Sequence, residues 1–141
     1  MVADYSEWRA RDYFQTYYSQ VVLPDEQAVL AYQIEVLRAA RARFGRGHEY
    51  GCGPTMHRAI AAAKYAFRID MADWLADNLT EAREWLCADA SAPEWKRFTR
   101  YVLACEGHTR PSDQKLVQRE ALTRKVVRGL YVSDARLRQP L

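Results

Sequence analysis

Glu49-Tyr50-Gly51-Cys52-Gly53-Pro54-Thr55, followed twenty positions after Gly53 by Asp73, is the stretch on which the reading of the whole chain turns. A very short strand over residues 48–50 is expected to turn at Gly51 and Gly53 into an alanine-rich helix. Pro54 suits the first turn of that helix, because its missing N–H would have had no partner there. The next stretch, Phe67-Arg68-Ile69-Asp70-Met71-Ala72-Asp73-Trp74, reads as a second strand that ends in acid. Glycines let a backbone approach a ligand closely, and a helix N-terminus offers free N–H groups and positive dipole to a carboxylate or phosphate. An acid closing the second strand can accept hydrogen bonds from ribose hydroxyls. Together these features describe a ribonucleoside cofactor. A dinucleotide fingerprint would carry a third glycine where this chain has Met56, which counts against NAD.

Upstream, residues 4–18 are dense in rings (Tyr5, Trp8, Tyr13, Phe14, Tyr17, Tyr18) with charges between them, the pattern of an amphipathic helix. Pro24, Asp25 and Glu26 start a second helix, and Val29, Leu30, Ile34, Leu37 and Phe44 recur at helical spacing up to Gly45 and Gly47, predicting a helix over residues 25–44. Downstream, helices are expected over residues 79–86, 94–105 and 112–124. Val126-Val127-Arg128-Gly129-Leu130-Tyr131-Val132 then reads as a third strand running on towards Ala135. The order is helices, then β-α-β-α-α-α-β, which implies an α/β fold with a three-stranded parallel sheet.

The 141 residues suffice for one domain with a real core, with 49% apolar and 28% charged residues. A formal charge of +3, from 21 Lys and Arg against 18 Asp and Glu spread along the chain, leaves no electrostatic footprint for nucleic acid. Cys52, Cys87 and Cys105 stand far apart and odd in number, which fits a reducing compartment better than a disulfide framework, so a cytoplasmic location is expected. The charged, aromatic start does not read as a secretory signal and no run is long and apolar enough to span a bilayer. His48, His57 and His108 lack metal-ligand spacing, so no metal is expected. The thiol of Cys52 sits between two glycines where a helix dipole could activate it, but no catalytic His-Asp arrangement accompanies it, and a small residue tolerated in a turn is the better reading. The basic residues Arg119, Arg124, Lys125 and Arg128 read as a solvated helix face.

Beyond these readings, the ordered series Arg11-Asp12-Tyr13-Phe14, Tyr17-Tyr18, Glu49-x-Gly51-x-Gly53-Pro54-Thr55, Asp73-Trp74-Leu75-x-Asp77-Asn78-Leu79-x-Glu81, Trp85-Leu86, Glu94-Trp95, Glu106-Gly107, Asp134 and Gln139-Pro140-Leu141 resembles the nicotinamide N-methyltransferase and phenylethanolamine N-methyltransferase family. The resemblance implies a class I, Rossmann-like methyltransferase fold and S-adenosyl-L-methionine as cofactor, with S-adenosyl-L-homocysteine as product. It implies that Tyr13 and Tyr18 close over the cofactor, Tyr13 also lying near the methyl group as a positioning residue. Gly51, Cys52, Gly53 and Thr55 would hold the methionine moiety, Asp73, Trp74 and Asn78 the ribose and its surroundings, and Asp134 and Ala135 the adenine. Where one family member places a further tyrosine after the glycine turn, this chain has His57. Asp70 is the runner-up to Asp73 for the ribose contact, although it lies before the Asp-Trp pattern.

The same resemblance divides the chain into an N-terminal helical lid or cap, residues 1–44, and the cofactor-binding half of a methyltransferase domain, residues 45–141. In the family the Gln-Pro-Leu signature precedes the fourth strand, so the first three strands are expected here and the rest of the sheet is expected from a second polypeptide. Without a neighbour, a central strand edge would lie open to water. The function expected is therefore the cofactor-binding subunit of a split, heteromeric small-molecule N-methyltransferase, with no nucleic-acid or membrane partner. The alternative is a non-catalytic subunit of methyltransferase fold that stabilises a complete enzyme.

Overall fold

The computed structural model describes residues 4–137. Its elements run α1 (Ala10–Tyr17), α2 (Pro24–Ala39), β1 (Gly47–Tyr50), α3 (His57–Ala62), β2 (Ile69–Asp73), α4 (Ala76–Leu86), α5 (Lys96–Cys105), α6 (Asp113–Val126) and β3 (Val127–Val132). The element order is the one expected. The three strands form one parallel sheet in the order β1-β2-β3, with Gly47 opposite Ile69 at one seam and Asp73 opposite Val132 at the other. This is the α/β architecture of a partial Rossmann-like methyltransferase sheet. No helix among the described residues is long and apolar enough to cross a membrane. The Gln139-Pro140-Leu141 signature lies outside the described residues.

Successive side chains of a strand point to opposite faces. From β2, Ile69 and Met71 enter the core with Leu30 and Ile34 of α2, Ile60 of α3 and Phe98 and Val102 of α5. Asp70 takes the other face, in register with His48 on β1 and Gly129 on β3. It is fully buried and clamped by the guanidinium groups of Arg46 and Arg68. Burial works to raise the Asp70 carboxyl, but the Arg68 and Arg46 hydrogen bonds outweigh it and hold it below the usual carboxylate range. Gly129 is required there, since a Cβ would collide with the Asp70 carboxylate and the Tyr131 ring.

Several boundaries depart from expectation. The first helix covers only Ala10–Tyr17, because residues 4–9 turn instead and bring Trp8 to α4. Eight residues make a marginal helix alone; here Arg11 ties α1 to Glu81 and Glu84 of α4, and Phe14 packs edge-on against Trp95. The second helix stops at Ala39, short of Phe44, with Arg41 in the left-handed region at φ 51° and Phe44 bridging to Ala66. The third helix starts at His57, so Pro54 precedes it and stays in the turn. The basic run is a solvated face only in part, at the exposed Lys125 and Arg128. Arg119 is buried against Glu106 and donates to the Ile60 carbonyl, and Arg124 stacks on Trp85.

Candidate cofactor site

Parallel strands leave a crevice at their C-terminal ends, where the chain turns away to the next helix. Here that crevice is a cleft of about 500 Å³ walled by the glycine turn after β1, the Asp73–Leu75 segment after β2 and the Ser133–Arg136 segment after β3. The turn is made by Gly51 at φ 69° and Gly53 at φ 59°, a conformation side chains resist. The N–H groups of Gly51 and Cys52 both donate to the Ala72 carbonyl, at 2.8 and 3.0 Å, so the turn is pinned to β2. Thr55 Oγ1 donates to the Cys52 carbonyl at 2.7 Å and closes it.

Asp73 is the hub. Its Oδ2 accepts from the Gly53 N–H at 2.8 Å, and its Oδ1 accepts from the Leu75 N–H and from Asn78 Nδ2, both at 2.9 Å. A carboxylate offers about four lone-pair directions, so three internal donors leave acceptor capacity on Oδ2 for a ligand hydroxyl. Asn78 is oriented in turn by the indole N–H of Trp8, which donates to its Oδ1 at 2.8 Å. Three elements thus converge on one carboxylate before any ligand arrives, the arrangement that makes a binding group rigid.

The cleft brings together Tyr13, Gly51, Gly53, Asp73, Trp74, Asn78, Asp134 and Ala135 of the expected residues. Tyr18, Cys52 and Thr55 are buried and do not line it. Burial pushes the Cys52 thiol up, with Glu49 and Asp73 adding to the effect, so it is a protonated packing group at neutral pH. Asp134 is held by Arg136, whose Nε donates to both its oxygens at 2.8 and 3.0 Å. That pairing lowers the Asp134 carboxyl to about 2. Asp70 lies on the far face of the sheet and does not reach the cleft.

Sequence reasoning missed Arg136, Tyr50 and Ser133 as cleft residues and left Tyr5 and Trp8 as packing residues. Tyr50 and Ser133 share a hydrogen bond of 2.8 Å between hydroxyls, a tie from β1 to the segment after β3 that only the sheet topology reveals. Arg136 lies over the Trp74 ring at 4.5 Å, and Tyr5 meets the same indole edge-on. Trp8 carried no local signal: its half-buried indole finds its acceptor in Asn78, seventy positions along the chain.

The cleft fits a nucleoside with an amino-acid tail in its chemistry: a rigid carboxylate for hydroxyls, aromatic faces for a flat base, and a positive-φ glycine turn that admits close approach. The model of the NNMT/PNMT/TEMT family matches residues 2–141. Indolethylamine N-methyltransferase of Oryctolagus cuniculus is 28% identical over 139 residues, covering 93% of this chain and 50% of that protein. Phenylethanolamine N-methyltransferase of Bos taurus is 28% identical over 79 residues, covering 56% of this chain and 28% of that protein. The chain therefore spans about half the length of the first of these relatives and aligns with a smaller share of the second. It belongs to the NNMT/PNMT/TEMT family, whose methyltransferases use S-adenosyl-L-methionine as methyl donor.

Proposed function

From that membership we propose that the chain is the S-adenosyl-L-methionine-binding half of a small-molecule N-methyltransferase, and that a second polypeptide completes the acceptor site. The single observation that carries the reading is the Asp73 hub, a carboxylate held by donors from the glycine turn and the start of α4 with capacity left towards the cleft. In this reading Asp73 accepts from a ribose hydroxyl, with Asn78 fixing its orientation. The Gly51–Gly53 turn admits the methionine tail, and Asp134 and Ala135 meet the adenine. Tyr13, with Tyr5, Trp8 and Trp74 around it, excludes water from the region of the methyl group.

When bound, the cofactor supplies a methyl group on positively charged sulfur, open to direct displacement by an amine nitrogen. The protein then has little covalent work to do, and alignment of nucleophile, carbon and leaving sulfur carries most of the rate. The names of the relatives favour an arylalkylamine as acceptor. The proposed partner is supported by the outer edge of β1, which pairs with nothing among the described residues, and by the apolar groove beside it.

The test is transfer of labelled methyl from S-adenosyl-L-methionine to an arylalkylamine by the chain with and without a polypeptide carrying the rest of the fold. The reading predicts transfer only in the assembly, and its loss in Asp73→Ala. Full activity of an assembly carrying Asp73→Ala would instead favour a subunit that only stabilises its partner.

A further inference from the structure

His57 takes the position after the glycine turn where one family member places a tyrosine, and it does not stand alone. It is 1% exposed, and its Nε2 lies 3.1 Å from Glu26 Oε2 across the gap between α3 and α2. The other Glu26 oxygen accepts from the Tyr18 hydroxyl at 3.4 Å. The Tyr18 ring stacks on the His57 ring, with centroids 5.3 Å apart and planes at 28°, and it also meets Trp95, Phe98 and, on the cleft side, Tyr13, each with centroids 5.7 Å away. Tyr13 lines the cleft. A continuous chain of side chains therefore runs from the cofactor cleft through Tyr13, Tyr18 and Glu26 to His57, linking α1, α2 and α3.

The tautomer follows from burial. His57 Nδ1 is buried with no hydrogen-bond partner, so a proton there would be an orphaned donor. The proton belongs on Nε2, donated to Glu26, and the ring is neutral. Glu26 then accepts from two donors and has the Arg58 guanidinium 3.8 Å away.

We propose that Glu26 and His57 are positioning residues for the cofactor cleft, holding Tyr18 behind Tyr13 so that Tyr13 keeps its place on the cleft wall beside the methyl group. The proposal rests on the cofactor reading above. It gives cofactor binding a pH dependence of a definite sign. Burial lowers His57 from its ordinary value of 6.5, against the opposing pull of Glu26, and the His57 hydrogen bond lowers Glu26 from 4.5. A lowered group in the folded chain keeps its deprotonated form until pH falls through its folded value, so the arrangement holds above that value and is lost below it. In the folded chain the pair therefore persists below pH 6.5 and fails only as pH falls through the lowered folded values of the two groups. The groups facing His57 are Tyr18 from α1, Glu26 from α2 and Arg58 from α3, while α5 presents only the rings of Trp95 and Phe98. Glu49 on β1 also faces Arg58 and titrates near 8, so the acid range below pH 7 is the window that separates the pair from it.

The experiment is the affinity of the full chain for S-adenosyl-L-homocysteine across that window, for the native sequence, H57F, H57Q and E26A, with thermal melts as the check on folding. Glutamine places its amide N–H near where His57 carries Nε2–H but does not titrate. At pH 7, H57F and E26A are expected to bind about fivefold more weakly, the effect of one hydrogen bond. H57Q is expected to keep the native affinity at pH 7 and to lose the decline that the native chain shows at acid pH. Native affinity with an unchanged pH profile in both H57F and H57Q, with Asp73→Ala still weakening binding, would overturn the positioning role alone. Absence of binding by the native chain at every pH would bring down the cofactor reading and this inference with it.

Discussion

At the C-terminal ends of the strands Asp73 accepts three hydrogen bonds, one from the glycine turn and two from the start of α4, and Asn78 beside it is fixed by Trp8. On the outer flank of β1 the Glu49 carboxyl is buried with Oε2 unpartnered, and Val29, Val36 and Tyr32 of α2 leave apolar surface open, Tyr32 at 69% exposure. Both regions lie on the same small sheet, within four residues of one another along β1 and its turn. Buried carboxylates are ordinarily satisfied, and apolar surface is ordinarily covered. The difference teaches that the chain satisfies its polar groups around the cofactor cleft and leaves a carboxylate oxygen and apolar surface unmet along β1.

The comparison breaks most readily at Asp73. Replacing it by alanine strips the acceptor from the Gly53 and Leu75 N–H groups and from Asn78, and is expected to cost about 2 to 3 kcal/mol of stability. The same change should weaken S-adenosyl-L-homocysteine binding by about 1 to 3 kcal/mol, checked by denaturant melts and calorimetry. A variant as stable as the native chain would mean that the hub is not a hub.

Glu49 tests the other flank. Burial pushes its carboxyl up to about 8, above the ordinary 4.5, so the fold prefers the protonated form and loses stability as pH rises from 4.5 through 8. Glu49→Gln should therefore stabilise the chain at pH 8.5, by on the order of 2 kcal/mol, and make little difference at pH 5. Equal melting shifts at both pH values would show that Glu49 is already satisfied in solution.

Trp8→Phe sharpens the comparison more gently. It keeps a ring and removes the donor to a buried Asn78 oxygen, for an expected loss of about 1 kcal/mol, with weaker cofactor binding alongside. Tyr32→Ser is the smallest change. On the chain alone it should fall within about 0.5 kcal/mol of native, as exposed substitutions do. In the assembly it should weaken association with the completing polypeptide, measurable by analytical ultracentrifugation; a large loss of stability in the chain alone would show that the groove is already filled from within.

The element order, the parallel sheet and the pairing of a glycine turn with Asp73 were all legible in the residues, because periodicity and turn chemistry act locally. What was not legible depended on contacts distant along the chain. The early end of α2 reflects the bridge from Phe44 to Ala66, and the late start of α3 reflects a turn whose N–H groups are taken by Ala72. Arg119 read as surface because nothing local announces Glu106 and the Ile60 carbonyl as its partners. Trp8 and Arg136 were passed over at the site for the same reason, since their roles exist only once α4 and the segment after β3 are brought to the same cleft.

The most direct test of the central claim is calorimetric titration of S-adenosyl-L-homocysteine into the full chain, alone and beside a polypeptide carrying the rest of the family fold, for native Asp73 and for Asp73→Ala. The account predicts saturable one-to-one binding with the native residue and a loss of about 1 to 3 kcal/mol with alanine. No binding in either setting, or equal binding by the two proteins, would contradict it.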